Sequence, residues 1–249
     1  MYSSVAVLGD CLIEVLDTGN LVECKIIERI SRFSVLVEVN NEKVQAYINN
    51  TGRLEQYLVR GKIGYLIKSS SKLNYRLIGI EDQGFAALLD TRLQERVFEK
   101  LVESNTLPWL RNHVVIKRYP RVQGRVFDFL LRSSERDLLV ELKSAVLRLS
   151  NYTAGYPDAP TKRGRDQLIT LGDLVSRNLY KGLVVFISGL PGIRAFQLYC
   201  GADKLIEHVV EYALSRGVFF KSISLYLDPS RGKIVLENPD LPVILKCTE

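Results

Sequence analysis

Histidine is almost missing from this chain of 249 residues: His113 and His208 are the two it has. Neither neighbours a serine or cysteine in a nucleophile motif, which argues against a Ser/His/Asp hydrolase. The four cysteines, at 11, 24, 200 and 247, form no Cys-x-x-Cys pair. A zinc site and a disulfide framework are therefore not expected, and a reducing cytoplasm is the expected location. Apolar runs such as 183–187 fall far short of the ~18 residues of a membrane span, so no membrane is expected as partner. Residues 1–14 show no basic stretch followed by an apolar one, and no leader peptide is expected. A glycine-rich phosphate loop is also lacking, which leaves a small-molecule enzyme acting on sugars without support.

What is present is an ordinary globular composition, 47% hydrophobic and 25% charged, which excludes disordered and fibrous classes. Net charge is +6, from 34 Lys and Arg against 28 Asp and Glu. That mild excess permits a polyanionic partner without demanding one, because a solvated surface explains it equally well.

The first eighty residues read as short strands, at 12–16, 35–39, 44–48, 63–67 and 75–80. Turn residues such as Asn40-Asn41 and Asn49-Asn50-Thr51-Gly52 break them. Many short strands at close spacing predict a small barrel, here an OB-like one. The pattern changes near Asp90. Thr91 with Gln94 predicts a capping box, and Leu93, Val97, Phe98, Leu101 and Val102 follow at helical spacing. Strands are expected at 114–119, 126–131 and 138–146, a loop at 151–161, a helix at 164–175, a strand at 183–187, a helix at 202–215 and a strand at 218–227. Helices alternating with strands predict a central mixed sheet. The expected domains are 1–85, an OB-like β-barrel that binds nucleic acid, and 86–249, an α/β domain.

The segment that carries chemistry runs from Arg125 to Lys143. If Arg132 faces Asp137 across the Ser133 to Arg136 loop, Asp128 falls opposite Glu141, with Cβ atoms ~5 Å apart. Lys143, two residues beyond Glu141, shares its face. Two acids and a lysine then converge within otherwise apolar strands. Burying two repelling carboxylates is costly, and a divalent cation with oxygen ligands removes that cost. Mg²⁺ (or Mn²⁺) suits Asp128 and Glu141, with the backbone carbonyl of Leu142 as a further ligand. Lys143 beside a bound water suits attack on a phosphodiester. The rival reading is a plain ion pair of Lys143 with Asp128 or Glu141.

This arrangement resembles the PD-(D/E)XK nuclease motif. Further segments resemble the sugar fermentation stimulation protein (SfsA) family: Arg29-Ile-Ser-Arg32-Phe33, Asn50-Thr51-Gly52, Asp90-Thr91, Glu141-Leu-Lys143-Ser144, and the stretch from Tyr156-Pro157-Asp158-Ala159 to Arg163-Gly164. The resemblance implies an N-terminal OB-like domain, a restriction-endonuclease-like α/β domain, DNA binding and nuclease activity. It also implies three departures. Arg125 stands one residue farther from Asp128, Lys117 and Arg118 stand where a glutamate is implied, and Gln167 stands where a histidine is. Glu95 or Glu99 can substitute for the glutamate, although both read more simply as exposed helix charges.

Lys162, Arg163 and Arg165 at a helix start suit phosphate contact, with Asp158, Thr161 and Gln167 in support. Lys117, Arg118, Arg121 and Arg125 form a second basic group around Tyr119, suited to backbone contact and stacking. The sequence thus predicts a metal-dependent nuclease acting on DNA or RNA, DNA foremost. The alternative is a non-catalytic DNA-binding regulator of sugar metabolism genes on the same fold. Oligomeric state is left open, a homodimer included.

Overall fold

The computed structural model describes residues 12–70 and 72–247. The reading of the N-terminus as free of a leader, and Cys11, lie almost wholly outside them.

Five antiparallel strands, Val22–Ser31, Ser34–Val39, Glu42–Tyr47, Ile63–Lys68 and Tyr75–Asp82, follow one another in the N-terminal part. The sheet closes on itself because Ala46 pairs in parallel with Tyr75 and Tyr47 with Arg76. Closure leaves the barrel without a free edge there. Cys24, Ile26, Val35, Val37, Ala46, Leu66, Leu77 and Ile80 fill the interior. The strand Val22–Ser31 was not foreseen. Four charged residues, Glu23, Lys25, Glu28 and Arg29, interrupt its apolar pattern, and along it Cys24 and Ile26 alone are buried. The strand Ile13–Asp17, expected as part of the barrel, joins no barrel strand; it pairs with Lys233–Asn238.

The hairpin Tyr75–Asp82 and Phe85–Leu88 carries the sheet onward through the pairing of Ala86 with Leu227. Beyond it run Phe219–Asp228, Lys181–Ser188 and Leu138–Ala145, parallel to one another, then Phe129–Arg132 and the edge strand Val114–Arg118, both antiparallel. The central strand Lys181–Ser188 is apolar and buried along nearly its whole length, as parallel strands covered on both faces must be. Helix α1, Thr91–Glu103, covers one face through Leu93, Val97, Phe98 and Leu101 against Val140, Val185 and Ile187. Helices α2, Lys162–Ser176, and α3, Ile206–Ser215, cover the other through Leu168, Leu171, Val210 and Ala213 against Leu139, Val184 and Phe186.

Three local expectations are corrected. The cap of α1 is Asp90, not Thr91: its carboxylate accepts from the Leu93 N–H at 2.8 Å, while the Gln94 side chain donates instead to the Leu88 carbonyl. Asp is the better cap of the two, and here it is also held by Asn49 and Arg76. The expected loop 151–161 contains the strand Thr153–Tyr156, part of a small sheet with Leu147–Ser150, Ala195–Leu198 and Val243–Ile244. Those strands are too short for any periodicity to show. Finally, Cys200 and Cys247 form a disulfide. Their 47-residue separation carries no spacing signal; they meet because Val243–Ile244 lies parallel to Ala195–Leu198 and brings the chain end back. Cys24 is a buried free thiol in the barrel, its pKa pushed up to about 12 by burial.

Candidate metal and nucleic-acid site

The hairpin pairs Phe129 with Val140, Leu130 with Leu139 and Leu131 with Leu138, which is the register expected from the sequence. Asp128 precedes the strand by one residue, and its N–H donates to the Val140 carbonyl at 3.1 Å. Period-two alternation sends Phe129 and Val140 to the α1 face and turns Asp128, Glu141 and Lys143 to the α2 face. All three line one cavity of about 660 Å³ between the barrel and the α/β domain.

Within it, Lys143 Nζ lies 2.7 Å from Glu141 Oε1 and donates at 3.0 Å to Gln167 Oε1. Gln167, on α2, in turn donates to the Val126 carbonyl at 2.9 Å. Asp128 Oδ2 accepts from the Leu142 N–H at 2.6 Å. The ion pair foreseen as the rival reading is thus present, between Lys143 and Glu141. It does not satisfy the site. Glu141 is 4% exposed, and its Oε2 is buried without a hydrogen-bond partner.

The electrostatics follow. Burial, then the Glu141 charge, hold the Asp128 carboxyl well above the ordinary range. Glu141 is raised by burial despite the pull of Lys143. Burial alone would lower Lys143, but Glu141 and Tyr156 outweigh it and its pKa is raised. At the buried floor of the cavity two carboxyls thus share one lysine, while Arg32, Lys162 and Arg163 lie exposed at its rim. Glu95, set aside in the sequence as an exposed helix charge, is half-buried on α1, accepts from Tyr119 Oη at 2.5 Å, and adds its repulsion to both acids. Its signal was its place one turn inside α1. Glu99 instead pairs with Arg118 at 3.0 Å.

The wall opposite is built by the loop from Asp158 to α2 and by the barrel. Asp158 Oδ2 accepts from the Leu54 N–H at 3.1 Å, and a Cβ at Gly52 would lie 2.4 Å from Asp158 Oδ1. Glycine at 52 is what lets the barrel loop approach. Thr161 caps α2 by accepting from the Gly164 N–H. Two wall residues not singled out individually in the sequence are buried Asn50, which donates to the Leu89 carbonyl, and Tyr156, which packs on Phe186.

The expected basic residues divide. Lys162 and Arg163 are exposed at the cavity rim. Arg165 is turned away and pairs with Asp203. Arg125 pairs with Asp166 at 3.1 Å. Lys117 and Arg118 lie on the edge strand, outside the cavity lining, and Arg118 covers the Phe129 ring. Among the described residues, one group of three metal-ligating side chains lies within 4.8 Å: Cys200, Glu207 and Cys247, whose two sulfurs the disulfide consumes. No helix among them is long and apolar enough to cross a membrane.

Residues 27–89 match the family described as the SfsA N-terminal OB domain, and residues 92–231 match that described as the sugar fermentation stimulation protein RE domain. The sugar fermentation stimulation protein homolog of Pyrococcus furiosus is 38% identical over 89% of this chain and 96% of its own length. That of Archaeoglobus fulgidus is 40% identical over 91% and 97%. The solved structure of Pyrococcus furiosus SfsA in complex with Ca²⁺ superposes with a TM-score of 0.89 at 35% identity, covering 93% of this chain and 99% of that one. The fold class expected from the sequence, an OB barrel followed by a nuclease-like mixed α/β domain, is the one found.

Proposed function

The chain belongs to the sugar fermentation stimulation protein family, and from that premise we propose that it is a divalent-metal-dependent nuclease that hydrolyses phosphodiester bonds, DNA foremost. The observation that carries the proposal is the bare Oε2 of Glu141, buried in the same cavity as Asp128. Buried charged oxygens are otherwise paired, and at the buried floor of the cavity two acids face a single buried lysine, the cations Arg32, Lys162 and Arg163 being exposed at the rim, which leaves room for a cation. The relative from Pyrococcus furiosus was solved with Ca²⁺, an oxygen-seeking ion, which fits a carboxylate site.

Asp128 and Glu141 would hold Mg²⁺ or Mn²⁺, with the Leu142 carbonyl as an added ligand. When bound, such an ion lowers the pKa of a water and polarises the phosphoryl oxygen. The remaining roles fall to the chain. Lys143, fixed by Glu141 and Gln167, presents a positive charge where the attacked phosphate becomes more negative. The Leu142 N–H fixes the Asp128 carboxylate. Lys162 and Arg163 at the rim draw in the phosphate backbone, with Asp158 and Thr161 holding their loop. Residues 1–85 and 86–249 serve as binding and catalytic units. The test is cleavage of labelled single- and double-stranded DNA and RNA with Mg²⁺ or Mn²⁺. Activity is expected in the wild type and lost in Asp128→Ala; equal activity in both sinks the assignment.

The second reading, a DNA-binding regulator that cuts nothing, draws on the Glu141–Lys143 ion pair, in which the lysine supplies the counter-charge to the acid. It expects salt-sensitive binding that survives EDTA and no cleavage with any metal.

A further inference from the structure

The cavity has an aromatic wall that the nuclease reading does not use. Phe33 sits at the tip of the hairpin between Val22–Ser31 and Ser34–Val39, is 48% exposed, and lines the same cavity as Asp128, Glu141 and Lys143. Exposed apolar side chains scattered over a surface are ordinary. This one differs because its backbone is braced. Its N–H donates to Ser31 Oγ at 3.2 Å, and its carbonyl accepts from the Ile48 N–H at 3.1 Å. Arg29 ties the hairpin to the cavity floor by donating to the carbonyls of Arg32, Asn50, Gly52 and Arg53. The Arg32 guanidinium lies 5.6 Å from the ring centroid, leaving a flat cation–aromatic pair at the cleft mouth.

A rigid, solvent-facing ring costs little entropy when a flat partner covers it. A planar base beside a phosphate chain is such a partner, and base–aromatic stacking serves every base alike. In a duplex the base faces are stacked on each other and closed to a side chain; only an unpaired nucleotide offers one. We propose that nucleic acid enters this cleft unpaired, with Phe33 stacking on a base while the adjoining phosphate lies toward Lys143. The proposal rests on the nuclease reading for the place of the phosphate and deepens it by naming the substrate class: single strands, or the unpaired arm of a branched molecule.

The test is fluorescence anisotropy in EDTA, where no cleavage is expected, with a labelled dT strand of about 16 nucleotides and a blunt duplex of the same length. The wild type should bind the single strand more tightly than the duplex. Phe33→Ala should weaken the single strand roughly 5- to 100-fold and leave the duplex unchanged, while Phe33→Trp stays within about twofold of the wild type. Matching melting curves exclude misfolding, and Phe33→Trp reports on the ring even if the alanine variant unfolds. Unchanged single-strand affinity in Phe33→Ala, or equal loss for strand and duplex, overturns the proposal. Metal-dependent cleavage that Asp128→Ala abolishes would then still stand, so the two readings fail separately. A wild type that binds neither probe ends both.

Discussion

Two buried carboxylates, some distance apart in the same interdomain seam, show what separates a structural charge from a chemical one. Asp90 is fully buried, and each of its oxygens faces a partner, although Oδ2 makes no hydrogen bond and has only the Arg76 charge beside it. It accepts from the Leu93 N–H, from Asn49 Nδ2 at 2.9 Å, and pairs with Arg76 Nε at 3.0 Å. Glu141 is nearly as buried, but one of its oxygens meets only Lys143 and the other meets nothing. Around Asp90 the charges balance, one acid against one arginine. Around Glu141 two buried acids, Asp128 and Glu141, share one buried lysine, with Glu95 repelling both and the cations Arg32, Lys162 and Arg163 standing exposed at the rim. A buried acid paired on both oxygens holds the fold; on the proposed function the one left with a bare oxygen is the one that takes a cation from outside.

The comparison breaks most visibly at Asp90. Asp90→Ala removes the α1 cap and strands Arg76, and should cost about 3–5 kcal/mol in urea denaturation. Glu141→Gln should behave in the opposite way. Its stability should change by less than about 2 kcal/mol, because the glutamine amide oxygen can still accept from Lys143, which also keeps Gln167. Its cleavage rate should fall by at least ~10²-fold. A Glu141→Gln variant as unstable as Asp90→Ala would erase the distinction.

Metal sharpens the comparison next. Asp128 and Glu141 both have folded-state pKa values raised by burial. An acid raised above its unfolded value of roughly 4 loses stability as pH climbs from there to the folded value, and keeps that loss above it. Without metal, the melting temperature should therefore decline across that window. Saturating Mg²⁺ or Mn²⁺ should remove the decline and add about 2.7 kcal/mol at a hundred times Kd, at ~2–4 °C per kcal/mol. Glu141→Gln should lose the metal response. Metal-independent melting of the wild type would put Glu141 in the same class as Asp90.

The difference between the two acids was half legible in the sequence. Glu141 and Asp128 stood out because charges interrupt apolar strands, and the four-residue loop between Arg132 and Asp137 fixed the register that unites them. Asp90 was read as the residue before a Thr91 cap, because the spacing of Thr91 and Gln94 matches a capping box; Asp is the stronger cap, and Arg76 and Asn49, which arrive from the barrel, hold it in place. The disulfide was missed for the same kind of reason. Cys200 meets Cys247 through the pairing of two strands with only Phe196–Val243 and Gln197–Ile244 in register. Local pattern reports periodicity and burial; it says little about contacts that only the assembled chain creates. The basic residues show the limit most plainly: Arg163 and Arg165 look alike in sequence, yet one faces the cavity and the other is spent on Asp203.

The finest distinction concerns how the lysine is held. At Asp90 the cation partner Arg76 belongs to the fold, whereas on the proposed function Lys143 at Glu141 also serves a substrate, and Gln167 helps fix where it stands. Gln167 Oε1 accepts from Lys143 while its Nε2 binds the Val126 carbonyl, two residues before Asp128, so one amide spaces the lysine from the acid. Gln167→Ala leaves the Glu141 ion pair intact and should cost only ~1 kcal/mol of stability, the worth of an ordinary hydrogen bond. Cleavage should nevertheless fall about tenfold, the lower end for loss of a group that orients a metal-site residue. Because Gln167 acts through Lys143, the loss should appear in kcat with KM unchanged. A proportional loss in KM would instead make Gln167 a binding residue, and no loss at all would mean that Glu141 alone positions the lysine, as Asp90 alone holds Arg76.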